Sequence, residues 1–199
     1  MQLTEDQLDA LRELINIGVG QAAGMLNEMI EFRIQLEIPM IQLLSPESLQ
    51  EKLLERFGSE HLSTVKLGFS GSFAGTAELV FPKESAATLV AVLTGEEVES
   101  PDLDSLKIGT LSEVGNIVIN GVMGSISNVL EQPLRYAVPT YTEDKPEHLI
   151  SFEDSHKSTA ILLAQARFRI EELQLQGDII LFFDIASFRA LLSAIEAVG

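Results

Sequence analysis

The same three residues recur at the same spacing in this chain, 100 positions apart. Glu13, Asn16 and Pro39 form the pattern E-x-x-N-x(22)-P, and Glu113, Asn116 and Pro139 repeat it. At average residue usage, such a triplet at set positions arises by chance on the order of once in several thousand starts. The order of elements repeats as well. Each half reads as a long helix, a strand, two further strands and a short helix. "GTAELVFPKES" echoes "GDIILFFDIAS", with Ser85 matching Ser187. An internal duplication of roughly 100 residues per copy therefore constrains the fold more than any other feature. We expect one domain over 1–199, built from repeats of about 1–98 and 103–199.

Local signals mark the elements. Thr4 and Gln7 have the spacing of a capping box, and a helical pattern then runs to about Met29. "EFRIQLEI" alternates and predicts a strand ending at Pro39. "PESLQEKLLERFG" and "KESAATLVAVLTG" predict helices closed by Gly58 and Gly95. "TVKLGFSGSFAGTAELVF" predicts two strands around a Gly/Ser turn. The acidic linker "EEVESPDLD" precedes a second long helix, Leu103 to about Leu130. A strand is expected at "LRYAVPTY" and an irregular segment at "EDKPEHLISFEDSHK". Two strands follow at "STAILLAQARFRI" and "EELQLQGDIILFFD", then a final helix at "IASFRALLSAIEA". This order predicts an α+β fold with largely antiparallel pairing.

Composition narrows the function classes. Hydrophobic residues make up 46% of the 199, enough for a substantial core. The formal net charge of −17 disfavours nucleic acid and anionic membrane surfaces as partners. It favours a partner that brings a cation. There is no cysteine, so disulfides, thiolate catalysis and Cys-ligated zinc are excluded. The N-terminus "MQLTEDQLDA" does not read as a signal peptide, and apolar runs such as "DIILFFD" are too short to span a bilayer. The expectation is a soluble, cytoplasmic protein.

"ELINIGVGQAAG" contains G-x-G-x-x-A at Gly18, Gly20 and Ala23. A dinucleotide fingerprint needs a strand before it and a helix N-terminus at it. Here a helical pattern starts about fourteen residues earlier and passes straight through, so a nucleotide site is disfavoured. At about 100° per residue, Gly18 and Ala22 fall with Leu11 and Ile15 on the core side, where small residues admit a close neighbour. Gly20 and Ala23 are expected on the solvent side with Asp9, Glu13, Asn16 and Asn27, as a flat shelf for a partner.

Other candidates are weaker. His61, His148 and His156 lack helical metal-site spacing. Asp144, Glu147, His148, Glu153, Asp154 and His156 read as a solvated acidic loop rather than a cation site. Gly68, Gly71 and Gly75 lack the following Lys-Ser/Thr of a P-loop. The paired Glu and Asn remain. At i and i+3 the two side chains project together. The carboxylate grips a cation, and the carboxamide offers a donor and an acceptor that hold a water in one orientation. Neither is a strong nucleophile or base, so the pair suits completion of another protein's active site. Around both motifs the core neighbours differ, Ile15 against Gly115 and Gly18 against Val118, while the polar pair is kept.

At these residues the chain resembles the CheC/CheX/FliY family of bacterial and archaeal chemotaxis phosphatases, whose motif is (D/S)-x(3)-E-x(2)-N-x(22)-P. Asp9, Glu13, Asn16 and Pro39 match it fully. Glu113, Asn116 and Pro139 match again, with Gly109 in place of Asp or Ser. Two motifs in about 200 residues look like the CheC branch. The resemblance implies a pseudo-twofold α+β domain with two long motif helices exposed on one side. It implies hydrolysis of the aspartyl phosphate on a CheY-like response regulator receiver, with Glu13, Asn16, Glu113 and Asn116 as catalytic residues. Glu13 or Glu113 would pair with the receiver's active-site lysine, and Asn16 or Asn116 would align the attacking water. The chain would need no cofactor of its own, since the Mg²⁺ belongs to the receiver. A CheD-like deamidase is a further partner the family implies, and a monomer is expected. Two competent sites are expected, the first slightly favoured by Asp9. The competing readings are a non-catalytic adaptor that binds a receiver or a CheD-like deamidase, and a small-molecule enzyme using the Gly-rich helix.

Overall fold

The computed structural model describes residues 3–29, 33–97, 102–149, 159–170 and 173–198. The first helix, α1 (Glu5–Met29), begins at the expected capping box. The Thr4 amide donates to Gln7 Oε1 at 3.0 Å, and the Gln7 amide donates to Thr4 Oγ1 at 3.2 Å. Two of the free amides at the helix start are thereby satisfied. The chain continues through β1 (Ile34–Leu44), α2 (Pro46–Phe57), β2 (Leu62–Gly71), β3 (Gly75–Pro82) and α3 (Lys83–Thr94). The second long helix, α4 (Ser105–Val129), is capped by Asp104, whose carboxylate accepts from the Leu106 and Lys107 amides. Short strands β4 (Leu134–Tyr136) and β5 (Thr140–Asp144) and a 3-10 turn (Pro146–His148) follow. β6 (Thr159–Ile170), β7 (Leu173–Asp184) and the last helix, here α5 (Ile185–Val198), complete the described chain.

The seven strands form one sheet in the order β1-β6-β7-β3-β2-β4, with β5 also on β2, and every pairing is antiparallel. The fold is α+β, as expected. Edge strand β1 from the first half pairs with β6 of the second, while β4 and β5 from the second half pair with β2 of the first. Successive residues of the central strands point to opposite faces. Ile179, Leu181 and Phe183 of β7 join the main core with Leu11 and Ile15 of α1, Val118 and Val122 of α4, Leu89 of α3 and Phe188 of α5. Ile180 and Phe182 point the other way, into a smaller cluster with Leu49 and Leu53 of α2. Burial on both faces explains the unbroken apolar run in β7. The α2 side also carries two buried carboxyl groups with basic neighbours. Arg56 lies 3.2 Å from Asp178, and Lys66 lies 3.3 Å from Glu78.

Two strand expectations need correction. β1 does not end at Pro39 but runs to Leu44. Between Glu37 and Met40 its register slips, with Glu37 opposite Arg167 and Met40 opposite Gln165. Pro39 sits in that irregularity on an edge strand, where its missing N–H breaks no ladder bond. Conversely, "LRYAVPTY" is two strands, β4 and β5, interrupted over 137–139 at Pro139. Ala137 bridges the gap through its amide to the Gly68 carbonyl at 2.9 Å.

Candidate functional site on the paired long helices

The glycines of α1 decide how the two motif helices sit together. A Cβ on Gly18 would stand 2.5 Å from the Val122 Cα of α4, and one on Gly121 would stand 2.7 Å from the Gly18 carbonyl oxygen. The helices therefore touch backbone to backbone, an approach that only glycine permits. They run antiparallel, since Ile17 of α1 lines one cleft with Val129 of α4, while Glu113 of α4 lines another with Met29 of α1. Glu13 and Asn16 precede the close approach on α1, and Glu113 and Asn116 precede it on α4. The two pairs consequently lie on opposite sides of it.

Glu13, Asn16 and Glu113 are exposed, and Asn116 is half-buried. None of the four has its side chain in the core, because the neighbours Leu14, Ile15, Val114 and Gly115 take the buried positions of their turns. Among the described residues, no hydrogen bond or ion pair engages Glu13, Asn16 or Glu113. Asn116 differs, for its Oδ1 accepts from Asn120 Nδ2 at 2.8 Å. Asp9 is exposed and pairs with Arg12 at 2.6 Å, so its carboxylate is turned along its own helix. At Gly109, the matching position, an added Cβ would meet nothing within 4 Å.

The solvent-side set read from α1 is only partly correct. Gly20 is exposed, and a Cβ there would meet nothing within 4 Å. Ala23, by contrast, is 9% exposed and belongs to the buried side. Asn27 is half-buried and structural. Its Oδ1 accepts from the Ile34 amide at 2.5 Å and its Nδ2 donates to the Ile34 carbonyl at 3.1 Å. The carboxamide stands in for a strand neighbour at the start of β1, a tertiary role that helical periodicity does not register.

Each motif glutamate opens onto an apolar cleft that sequence reasoning missed. Beside Glu13 lies a space of about 270 Å³ lined by Ala10, Leu14 and Ile17 of α1, Val129 and Leu130 at the end of α4, and Ile195 of α5. Beside Glu113 lies one of about 450 Å³ whose walls include Gly109, Thr110 and Val114 of α4, Met29 of α1 and Leu93 of α3. Ile17, Met25, Met29, Leu106 and Val129 are large apolar residues left exposed on these two helices. Ile17, directly after Asn16 on the polar face, was the one local signal of such a surface. Exposed apolar residues grouped beside polar groups mark an interaction surface.

The remaining candidates do not gather into a site. Among the described residues, no group of three or more His, Cys, Asp or Glu side chains could hold a metal ion. His148 Nδ1 lies 2.7 Å from Asp144 Oδ1, and that contact holds the Asp144 carboxyl below its usual range. Glu153, Asp154 and His156 fall outside the described residues. Gly68 and Gly71 lie in β2 and Gly75 starts β3, so this stretch is a hairpin. No helix among the described residues is long and apolar enough to cross a membrane.

No family profile matches the chain. Individual proteins do. It is 26% identical over 147 residues to the CheY-P phosphatase CheC of Bacillus subtilis, covering 71% of this chain and 68% of that one. The crystal structure of Thermotoga maritima FliY superposes with a TM-score of 0.82 over the full length of both chains at 17% identity. CheX, in the structure of a CheX-CheY-BeF3-Mg+2 complex from Borrelia burgdorferi, matches with a TM-score of 0.54 at 19% identity. That match covers 87% of this chain and 99% of the other. The fold read from these structures and the sequence likeness to CheC agree with the motif resemblance.

Proposed function

We propose, from the premise that this chain is a relative of the CheC, CheX and FliY proteins, that it hydrolyses the aspartyl phosphate of a CheY-like receiver. The observation that carries the reading is the exposure of Glu13, Asn16 and Glu113, with half-exposed Asn116, each pair beside an apolar cleft. Polar groups left unpartnered on a protein-binding face fit a role completed by the partner. A relative named as a CheY-P phosphatase supports the same substrate class.

In this reading the chain contributes position and charge rather than a nucleophile. A water oxygen bonds to phosphorus as the bond from phosphorus to the receiver's aspartyl oxygen breaks. The aspartate leaves as a carboxylate, and inorganic phosphate departs as dihydrogen phosphate, carrying both protons of the water. Asn16 or Asn116 orients that water through its carboxamide, and Glu13 or Glu113 anchors the receiver's lysine. The Mg²⁺ arrives with the receiver and neutralises phosphoryl charge there. Orientation and electrostatics supply most of the catalysis of phosphoryl transfer, so this division of parts is chemically sufficient. The reading also carries a monomeric, cytoplasmic chain, a CheD-like deamidase as a further partner, and two halves that are copies exchanging edge strands.

The test is turnover. A receiver labelled by a small phosphodonor is mixed with substoichiometric protein. Release of many phosphates per added chain supports a phosphatase. Binding with no gain in release identifies an adaptor and rejects the proposal.

A further inference from the structure

Asn120 makes the two halves unlike. It lies one turn past Asn116 on α4, where its Nδ2 donates to Asn116 Oδ1 at 2.8 Å, and the matching position on α1 is Gly20. The side-chain Oδ1 of Asn120 is buried, and among the described residues it has no hydrogen-bond partner. A buried acceptor left unsatisfied lowers stability, so packing alone gives no reason for an amide at this position. Gly20 is exposed and leaves Asn16 without a neighbour of this kind.

We propose that Asn120 is a positioning residue for the second site, holding the Asn116 carboxamide in one orientation before the receiver docks. The inference rests on the phosphatase reading above. The Asn120 N–H occupies one lone pair of Asn116 Oδ1 and leaves both Asn116 Nδ2 protons and the other lone pair for water and receiver. Asn116 therefore loses little further freedom when the attacking water is aligned in the transition state. Asn16 stays mobile after docking and has to be immobilised at that step, and fixing one such side chain costs roughly a two- to tenfold factor. Asn120 itself is half-buried and acts through Asn116, so its effect belongs to the maximal rate and not to receiver affinity.

Two single-site backgrounds separate the contributions. In Asn16→Ala protein, only the second site operates. There, Asn120→Ala lowers the maximal rate of phosphate release about two- to tenfold and changes KM for the phosphorylated receiver less than about twofold. Asn120→Asp, similar in size but without the N–H donor, falls with it. In Asn116→Ala protein, Gly20→Asn installs an amide one turn past Asn16, at a position where a Cβ meets nothing within 4 Å, and raises the maximal rate by a comparable factor. Unfolding midpoints are measured alongside. An unchanged rate in Asn120→Ala, a fall that only follows loss of folded protein, or no gain from Gly20→Asn overturns the proposal. If the wild-type protein gives no release beyond the receiver's own rate, the phosphatase reading fails and takes this inference with it. If Asn16→Ala with Asn116→Ala still speeds release as the wild type does, the asparagines leave the mechanism and this inference falls while the phosphatase reading stands.

Discussion

Gly18 of α1 lies so close to Val122 of α4 that a side chain on Gly18 would stand 2.5 Å from the Val122 Cα. Gly20, two residues on, faces open space. The same residue type thus has opposite meanings on the two sides of one helix. Gly18 sets the distance between the motif helices, while Gly20 only weakens its helix. Gly18→Ala is expected to lower the unfolding free energy by about 1–3 kcal/mol through forced separation of the helices. Gly20→Ala is expected to raise it by up to about 1 kcal/mol. Urea unfolding of the two variants measures both, and equal effects would refute the close approach.

Asp178 gives the fold a pH dependence of known sign. Burial between the sheet and α2 pushes its carboxyl up from 3.8 to about 7, against a smaller pull from Arg56. The folded state then holds a proton that the unfolded state has already released between about pH 4 and 7. Stability from this group is therefore lost as pH rises through that window. Asp178→Asn should gain on the wild type by about 2–3 kcal/mol between pH 5 and pH 8. Unfolding curves of the two proteins at each pH read the difference directly, and parallel profiles would contradict it.

The exposed carboxylates should act on association. Glu13→Gln combined with Glu113→Gln removes the charge proposed to meet the receiver's lysine and leaves the helices intact. A close interfacial charge pair is worth upwards of about 1.5 kcal/mol, so kcat/KM should fall roughly tenfold or more at low salt. The gap should narrow as ionic strength rises, because screening weakens the wild type's advantage. Steady-state phosphate release over a salt series checks this. A loss independent of salt would assign the glutamates another role.

What could be read from residues alone was local or periodic. Thr4 with Gln7 forms the helix start because both partners lie within one turn. The exposure of Glu13, Asn16 and Glu113 follows from helical period, since Leu14, Ile15 and Val114 occupy the buried arc. Periodicity fails where a distant segment intervenes. Asn27 has a solvent-side position but is taken up by the Ile34 backbone. Pro39 looks like a strand end but lies in a bulge that β6 pairs across. The clefts beside Glu13 and Glu113 required the end of one long helix to meet the start of the other, which no window of sequence contains. The Asn116–Asn120 bond has legible i, i+4 spacing, yet the stranded Asn120 oxygen is visible only once its surroundings are packed.

Whether Asn16 and Asn116 act inside a partner's active site, as proposed, is decided by phosphate release from the receiver in the presence of the Asn16→Ala/Asn116→Ala double variant. The expected result is a folded protein, with an unchanged unfolding midpoint, whose addition leaves the receiver at its own autodephosphorylation rate. A folded double variant that still speeds release as the wild type does would contradict it.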